Sequence, residues 1–403
     1  MLGEEDKMSQ RAVKQQKNMG RRPEAAPNKK PRRFYDYSLL FAVIFITAFG
    51  LVMIYSSSQY TAALRYQGDG TYYFKRQAMI AAAGLLGAVV VSKIDYRFWK
   101  RIAWLGYGLA IVLLVAVMVM GVASHGKTRW IEIFGVQFQP TEPAKIALIL
   151  ILAYLISRYG YYINRWKYAR IFLLVAVVPA ILVGQANLSS GIILLGIAAV
   201  MLFVGCRIWW PFLLAGGLGV SAVLFAKPLI ARWVLANNIT TSSSYQLRRV
   251  LAWAMPERFT ADSYQTLQGL YAIGSGGLTG QGLGESIQKF GKLPEAQNDM
   301  IFSIICEELG FIGALALIFL FLFIIYRLMM IALNAPDLFG SMICVGIMAH
   351  LSLQVILNIG VVTNVIPNTG VTLPFVSYGG TAVLFTLIEI GFALAVSNRI
   401  RLE

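Results

Sequence analysis

Asp299 stands where a long hydrophilic segment, roughly residues 227–299, runs into an apolar stretch. Such a carboxylate has water on one side and apolar surroundings on the other. Partial loss of hydration raises its pKa toward neutrality, where it can take a proton from an attacking hydroxyl. The plain structural alternative is a helix N-cap or first-turn acid, worth about 1 kcal/mol. The run that contains it, Lys292-Leu293-Pro294-Glu295-Ala296-Gln297-Asn298-Asp299, leads on to an acidic pair, Glu307-Glu308. A second cluster joins Lys127-Thr128-Arg129-Trp130 to Gln139-Pro140-Thr141-Glu142-Pro143-Ala144-Lys145. Thr141 is placed to N-cap a helix whose first turn accepts Pro143. Glu142 and Lys145 are three apart and share a face. They make either a structural ion pair or, with Arg129 and the helix N-terminus, a cationic site for a phosphate group.

Two further clusters carry weaker signals. Gly274-Ser275-Gly276-Gly277-Leu278-Thr279-Gly280-Gln281-Gly282-Leu283-Gly284 is glycine-dense. It lacks the GK[ST] ending and the preceding strand of a nucleotide loop, so it reads as a tight, close-packed turn. Asn358, Asn364, Pro367, Thr369, Gly370, Pro374 and Ser377-Tyr378-Gly379-Gly380 crowd the approach to the last apolar run. That density implies a broken or re-entrant segment, which survives at membrane depth only inside protein or beside a wet cavity. Arg248 and Arg249 are either solvated or an anion clamp. His125 and His350 stand isolated and read as non-catalytic.

The elements that must position these groups lie in a membrane. Of 403 residues, 58% are apolar and 13% charged, with mean hydropathy +0.66. Soluble domains run about 45–50% apolar and about 25% charged. The apolar residues fall in blocks long enough to cross a bilayer as helices. Soluble, secreted and disordered classes are excluded. Ten spans are expected near 37–57, 77–93, 103–123, 141–158, 170–186, 190–206, 208–226, 300–328, 338–362 and 378–397. The fold class is therefore all-α and integral to the membrane, with one large loop, 227–299. Leu267 and Tyr271 follow Tyr264 at helical spacing, with Leu270 beside them, so amphipathic helices at the membrane surface are expected there.

The net charge of +16 points to topology rather than to nucleic acid, because the cations sit in tails and short loops beside the spans. Twenty-two Lys and Arg fall on one side, ten of them in the first 36 residues, against five in the short loops opposite. Both termini are thus expected in the cytoplasm and the large loop outside. Residues 1–36 read as a disordered basic tail, and residues 37–403 as the membrane domain. Cys206, Cys306 and Cys344 lie in apolar stretches and read as packing residues.

Taken together in order, the four clusters resemble the SEDS family of bacterial shape, elongation, division and sporulation proteins, across the chain apart from the tail. The strongest likeness is Asn358 through Thr381. Pro294-Glu295-Ala296 and Asn187-Leu188-Ser189-Ser190 look more like the division/sporulation branch. Asn298 and Met300 depart from the Thr and Phe that many members carry around the aspartate, as does Asn187 from Asp. The resemblance implies a peptidoglycan glycosyltransferase that polymerises lipid II into a glycan strand outside the membrane. It implies Asp299 as the catalytic base. It implies Lys145, Glu142, Arg129 and Glu295 in a central cavity; Trp130, Gln139 and Ser377 are further candidate substrate contacts, and Arg248 is a candidate to join Lys145 and Arg129 on the pyrophosphates. It implies a class B penicillin-binding protein, a monofunctional transpeptidase, as partner, together with other division or sporulation membrane proteins.

The chemistry suits those residues. A glycosidase needs a second carboxylic acid to protonate its leaving oxygen. A pyrophosphate leaving group does not, because cations can hold its developing charge. No metal ligand set is visible, and a divalent cation, Mg2+ or Mn2+, is the open alternative to an all-protein cradle. Two other classes fit the spans: a transporter or flippase for the same lipid, and a non-catalytic scaffold of the division machinery. The first would need access from the cytoplasm, and the second would not need Asp299.

Overall fold

The computed structural model describes residues 32–402 apart from 121, 125–126, 134–135, 164, 207–209, 238 and 240–244. The expected tail lies almost wholly outside these residues, as does His125. Seven helices come first: α1 (Tyr37–Arg65), α2 (Tyr72–Lys93), α3 (Tyr96–Met120), α4 (Thr141–Tyr159), α5 (Trp166–Ala186), α6 (Leu188–Gly205) and α7 (Trp210–Ala236). The hydrophilic segment then forms α8 (Tyr245–Ala254) and α9 (Thr260–Ser275). Three more complete the bundle: α10 (Ile301–Leu333), α11 (Leu338–Val362) and α12 (Thr381–Ser397).

Eight of these helices are long and apolar enough to cross a membrane. Of the ten expected spans, α7 and α12 are not among the eight. α12 has 17 residues, and α7 contains side chains outside those described, so the seventh span is not tested. The helices are apolar all round, with Leu39, Ile46, Leu148 and Ile151 inside and Phe41, Leu105, Val119 and Phe319 exposed. In water that outer face would aggregate; in lipid it is the solvated face. The chain is a multi-pass α-helical membrane protein.

Three features depart from the expected pattern. A short strand, β1 (Arg32–Phe34), belongs to a small unit of the chain ends. Between α3 and α4 lies an antiparallel sheet of β2 (Val122–Ser124), β3 (Lys127–Ile133) and β4 (Val136–Phe138), followed at the far end of the chain by β5 (Ile400–Leu402). Val122, Trp130, Ile131, Ile133, Val136 and Phe138 are β-branched or aromatic, which suits strands. α3 accordingly stops at Met120, short of the expected 123. In α9, Tyr264 and Tyr271 are exposed, and the buried positions are Ser263, Gly269 and Ala272. Small residues, not the aromatic stripe, let that helix lie close on α10.

α10 is broken at Gly310, whose φ is 67° and ψ −167°. The break leaves carbonyls and amides without helical partners, and the glycine-dense loop supplies them. Gln281 and Gly282 N–H donate to the carbonyls of Glu307 and Glu308 at 2.9 and 3.0 Å. Phe311 and Ile312 N–H donate to Gly277 and Leu278 carbonyls at 2.9 and 3.1 Å. A Cβ on Gly276, Gly280 or Gly310 would collide with backbone across this seam. The acidic pair is used here as well. Glu307 accepts from Ser286 Oγ and Ile287 N–H, and Glu308 from Ser56 Oγ and Lys289 Nζ. These bonds fix the loop that ends in Asp299.

Candidate functional site

Residues 363–380 carry the chain from α11 to α12 without helix, as the Gly/Pro density implied. Val371, Leu373, Phe375 and Val376 are buried, so the segment dips into the protein. Asn358, fully buried on α11, holds it: its Nδ2 donates to the Val371 carbonyl at 2.7 Å and to the Asp299 carbonyl at 2.8 Å. One side chain thereby ties the re-entrant segment to the backbone of the candidate base. Tyr378 N–H donates to the Gln297 carbonyl at 2.9 Å and closes the same junction.

Between these pieces, α4 and α9 lies a cavity of about 500 Å³, within the usual size range of ligand sites. Asp299 and Glu295 line one part of it, Glu142 and Lys145 another, with Trp130 and Gln139 beside them. Asp299 does not cap α10; Met300 occupies that position and the cap has no side-chain bond. The carboxylate is half-buried, with one face open to the cavity. Burial of the rest pushes its pKa up to about 6, helped by the Glu295 carboxylate and opposed by Arg249 and by Gln265. Gln265 Nε2 donates to Asp299 Oδ1 at 3.3 Å, and Asn368 Nδ2 donates to Gln265 Oε1 at 2.9 Å.

Lys145 lies at the start of α4, 3% exposed, with Nζ 2.8 Å from Glu142 Oε2. Thr141 is not the N-cap; the helix begins on it and Pro140 takes the cap position without a side-chain bond. Gln139 N–H instead donates to Thr381 Oγ1 at 3.3 Å, which ties this end of α4 to α12. Asn298 Oδ1 and Gln354 Oε1, both on residues that line the cavity, are buried with no partner among the described residues. Buried acceptors left open in this way suit a polar ligand.

The remaining expected site residues divide. Arg129 is on β3, but its side chain lies outside what is described. Arg248 does not line the cavity; it faces Asp262 at 3.7 Å. Its neighbour Arg249 lines the cavity instead and donates to the Asn368 carbonyl at 3.2 Å. Ser377 is buried and does not line it; its Oγ accepts from Leu373 N–H at 2.8 Å and shapes the re-entrant turn. His350 is not isolated: its Nε2 is 2.9 Å from Lys145 Nζ and its Nδ1 2.6 Å from Glu389 Oε2. Gln265, Asn368 and Gln354 were also missed, since a lone amide in a loop or span has no distinguishing spacing. Among the described residues no group of three or more His, Cys, Asp or Glu could hold a metal.

Fold and cavity together define a multi-pass membrane protein with a half-buried carboxylate and a buried lysine on one polar pocket. The chain belongs to the FtsW/RodA/SpoVE family, a group of cell-cycle proteins, whose pattern it matches over residues 37–402. It is 38% identical to a protein of Trichlorobacter lovleyi named probable peptidoglycan glycosyltransferase FtsW, over 93% of this chain and 96% of that one. It is 36% identical to stage V sporulation protein E of Bacillus subtilis, over 90% and 97%. Among solved structures it is similar to a chain of a peptidoglycan synthase complex described as coordinating polymerization and crosslinking. That match has TM-score 0.71 and 29% identity, covering 90% of this chain and 97% of the other. It is also similar to the rod shape determining protein RodA of Thermus thermophilus, with TM-score 0.66 and 26% identity, covering 92% and 98%.

Proposed function

We propose that this chain is a peptidoglycan glycosyltransferase that polymerises lipid II into glycan strands at the outer face of the cytoplasmic membrane. The observation that carries the reading is one cavity holding a carboxylate with its pKa near 6 and a buried ammonium. The names of its relatives support the activity. Asp299 takes the proton of the acceptor's 4-hydroxyl. The freed oxygen attacks the anomeric carbon of the donor, and the carbon–oxygen bond to pyrophosphate breaks with inversion. The leaving undecaprenyl pyrophosphate is held by Lys145, with Arg249 in the place first given to Arg248, and with Arg129. Glu142 orients Lys145, while Glu295, Trp130 and Gln139 contact the headgroup.

The 22-to-5 asymmetry of Lys and Arg supports cytoplasmic termini and an outward cavity. The likeness to a synthase complex supports a class B transpeptidase partner, and the relative in sporulation supports a septal or sporulation role. Among the described residues no three His, Cys, Asp or Glu side chains converge, and Glu142 is paired with Lys145, which leaves Asp299 and Glu295 as the carboxylates on the cavity. Mg2+ or Mn2+ enters this reading only as an ion carried on the pyrophosphate.

The test is polymerisation of purified lipid II, read as glycan length on a gel, with penicillin present to stop crosslinking. Wild type and Asp299→Ala are compared, each with and without the candidate transpeptidase. Polymer from wild type alone is expected. Equal polymer from both removes Asp299 from its role, and none from either favours the flippase or scaffold reading.

A further inference from the structure

His350 belongs to a buried chain of four ionisable side chains. Glu142 and Lys145 come from α4, His350 from α11 and Glu389 from α12, and they are 6%, 3%, 0% and 1% exposed. The chain runs Glu142 Oε2, 2.8 Å, Lys145 Nζ, 2.9 Å, His350 Nε2; then His350 Nδ1, 2.6 Å, Glu389 Oε2. Hydrogen counting fixes how it works. An ammonium has three donors and no acceptor, whereas a carboxylate only accepts. Facing an ammonium, His350 Nε2 must accept. The single imidazole proton then sits on Nδ1 and donates to Glu389. Glu389 therefore selects the tautomer that makes His350 an acceptor for Lys145.

Lys145 is thus shared between two acceptors on different helices, and its third N–H is left for the cavity it lines. Held by Glu142 alone, the ammonium could turn about that single 2.8 Å contact. A second, uncharged acceptor at 2.9 Å fixes its direction without adding another negative charge in contact with it.

We propose that His350, oriented by Glu389, is a positioning residue that holds the Lys145 ammonium ready to bind the pyrophosphate of the substrate. This rests on the glycosyltransferase reading of the same cavity. His350 touches no substrate; it acts through Lys145.

Two double variants isolate the acceptor. His350→Gln/Glu389→Leu places an amide oxygen near the Nε2 position, and His350→Leu/Glu389→Leu removes the acceptor. Neither leaves a buried carboxylate alone. Binding of undecaprenyl pyrophosphate and of inorganic pyrophosphate is measured on the full chain in detergent, next to KM and kcat for lipid II polymerisation. The Leu/Leu variant is expected to bind both anions about tenfold more weakly, the size of one lost hydrogen bond to a charged group. Its KM should rise by a like factor with kcat little changed. The Gln/Leu variant should stay near wild type in binding. Wild-type affinity in Leu/Leu, or equal loss in both variants, overturns the proposal. If Leu/Leu does not fold, His350→Asn replaces it. Its shorter amide reaches Glu389 but not Lys145, so it should lose anion affinity, and unchanged affinity again overturns the proposal. A wild type that binds pyrophosphate and responds as described, but makes no polymer, instead refutes the glycosyltransferase reading and leaves the Lys145 assignment standing.

Discussion

Asp299→Asn should cost the protein its activity and leave it more stable at neutral pH. A carboxyl whose folded pKa is about 6, against 3.8 for the free group, binds its proton more tightly in the folded state. Below the unfolded pKa the group costs nothing. As the pH rises through 3.8 the unfolded chain ionises first, and stability falls until the folded pKa is passed. At about 1.36 kcal/mol per unit, the full shift would amount to about 3 kcal/mol. Asp299 is only half-buried, and water in the cavity screens it, so about 1 kcal/mol is the realistic figure. Asparagine has no charge to desolvate, and its amide oxygen can still accept from Gln265. Thermal unfolding in detergent at pH 7.5 should therefore show Asp299→Asn slightly above wild type, with the difference vanishing near pH 4. Polymerisation should drop about 10²–10⁴-fold, the usual worth of a general base. Wild-type activity should rise with pH up to about 6 and then level off. A variant that is both inactive and less stable, or a wild-type rate flat from pH 5 to 7, would refute the assignment.

Lys145→Met alone should misfold, because it strands the Glu142 carboxylate; breaking a buried pair from one side costs about 3–5 kcal/mol. Lys145→Met with Glu142→Gln should fold, as judged by size-exclusion profile, yet fail to bind undecaprenyl pyrophosphate. Asn358→Leu should lower thermal stability by about 2–4 kcal/mol, since two buried carbonyls lose their donor, and should reduce kcat more than KM because the Asp299 backbone is freed. Gly280→Ala should cost at least about 2 kcal/mol in unfolding experiments, because its φ of 80° disfavours a side chain and its Cβ would strike the Glu308 carbonyl.

The spans were legible because hydropathy runs of this length have one physical use. The placing of Asp299 at the edge of a polar cavity was legible because a carboxylate at an apolar boundary is costly, and the contact of Glu142 with Lys145 because helical spacing puts them on one face. Proximity between distant segments left no such trace. Arg248 and Arg249 are adjacent in sequence, and only the packing of α8 decides which one turns to the cavity. His350 and Glu389 each looked like a single polar group in an apolar helix; what makes them a pair is the way α11 meets α12. The place of Ser377 was not legible, because a hydroxyl in a re-entrant turn can face a ligand or its own backbone, and here its Oγ accepts from Leu373 N–H.

The break at Gly310 makes the loop before α10 part of what lets that helix sit in lipid. A helix that interrupts its own ladder cannot enter lipid alone, because the stranded carbonyls would have no partners there. Those of Glu307 and Glu308 are met by amides of the preceding loop. The stretch from Ile301 to Glu308 is buried in protein, so the lipid-facing part of α10 begins near Phe311. The loop is therefore a plug for the gap in the helix behind it, and any change that pulls it away leaves α10 with bare carbonyls.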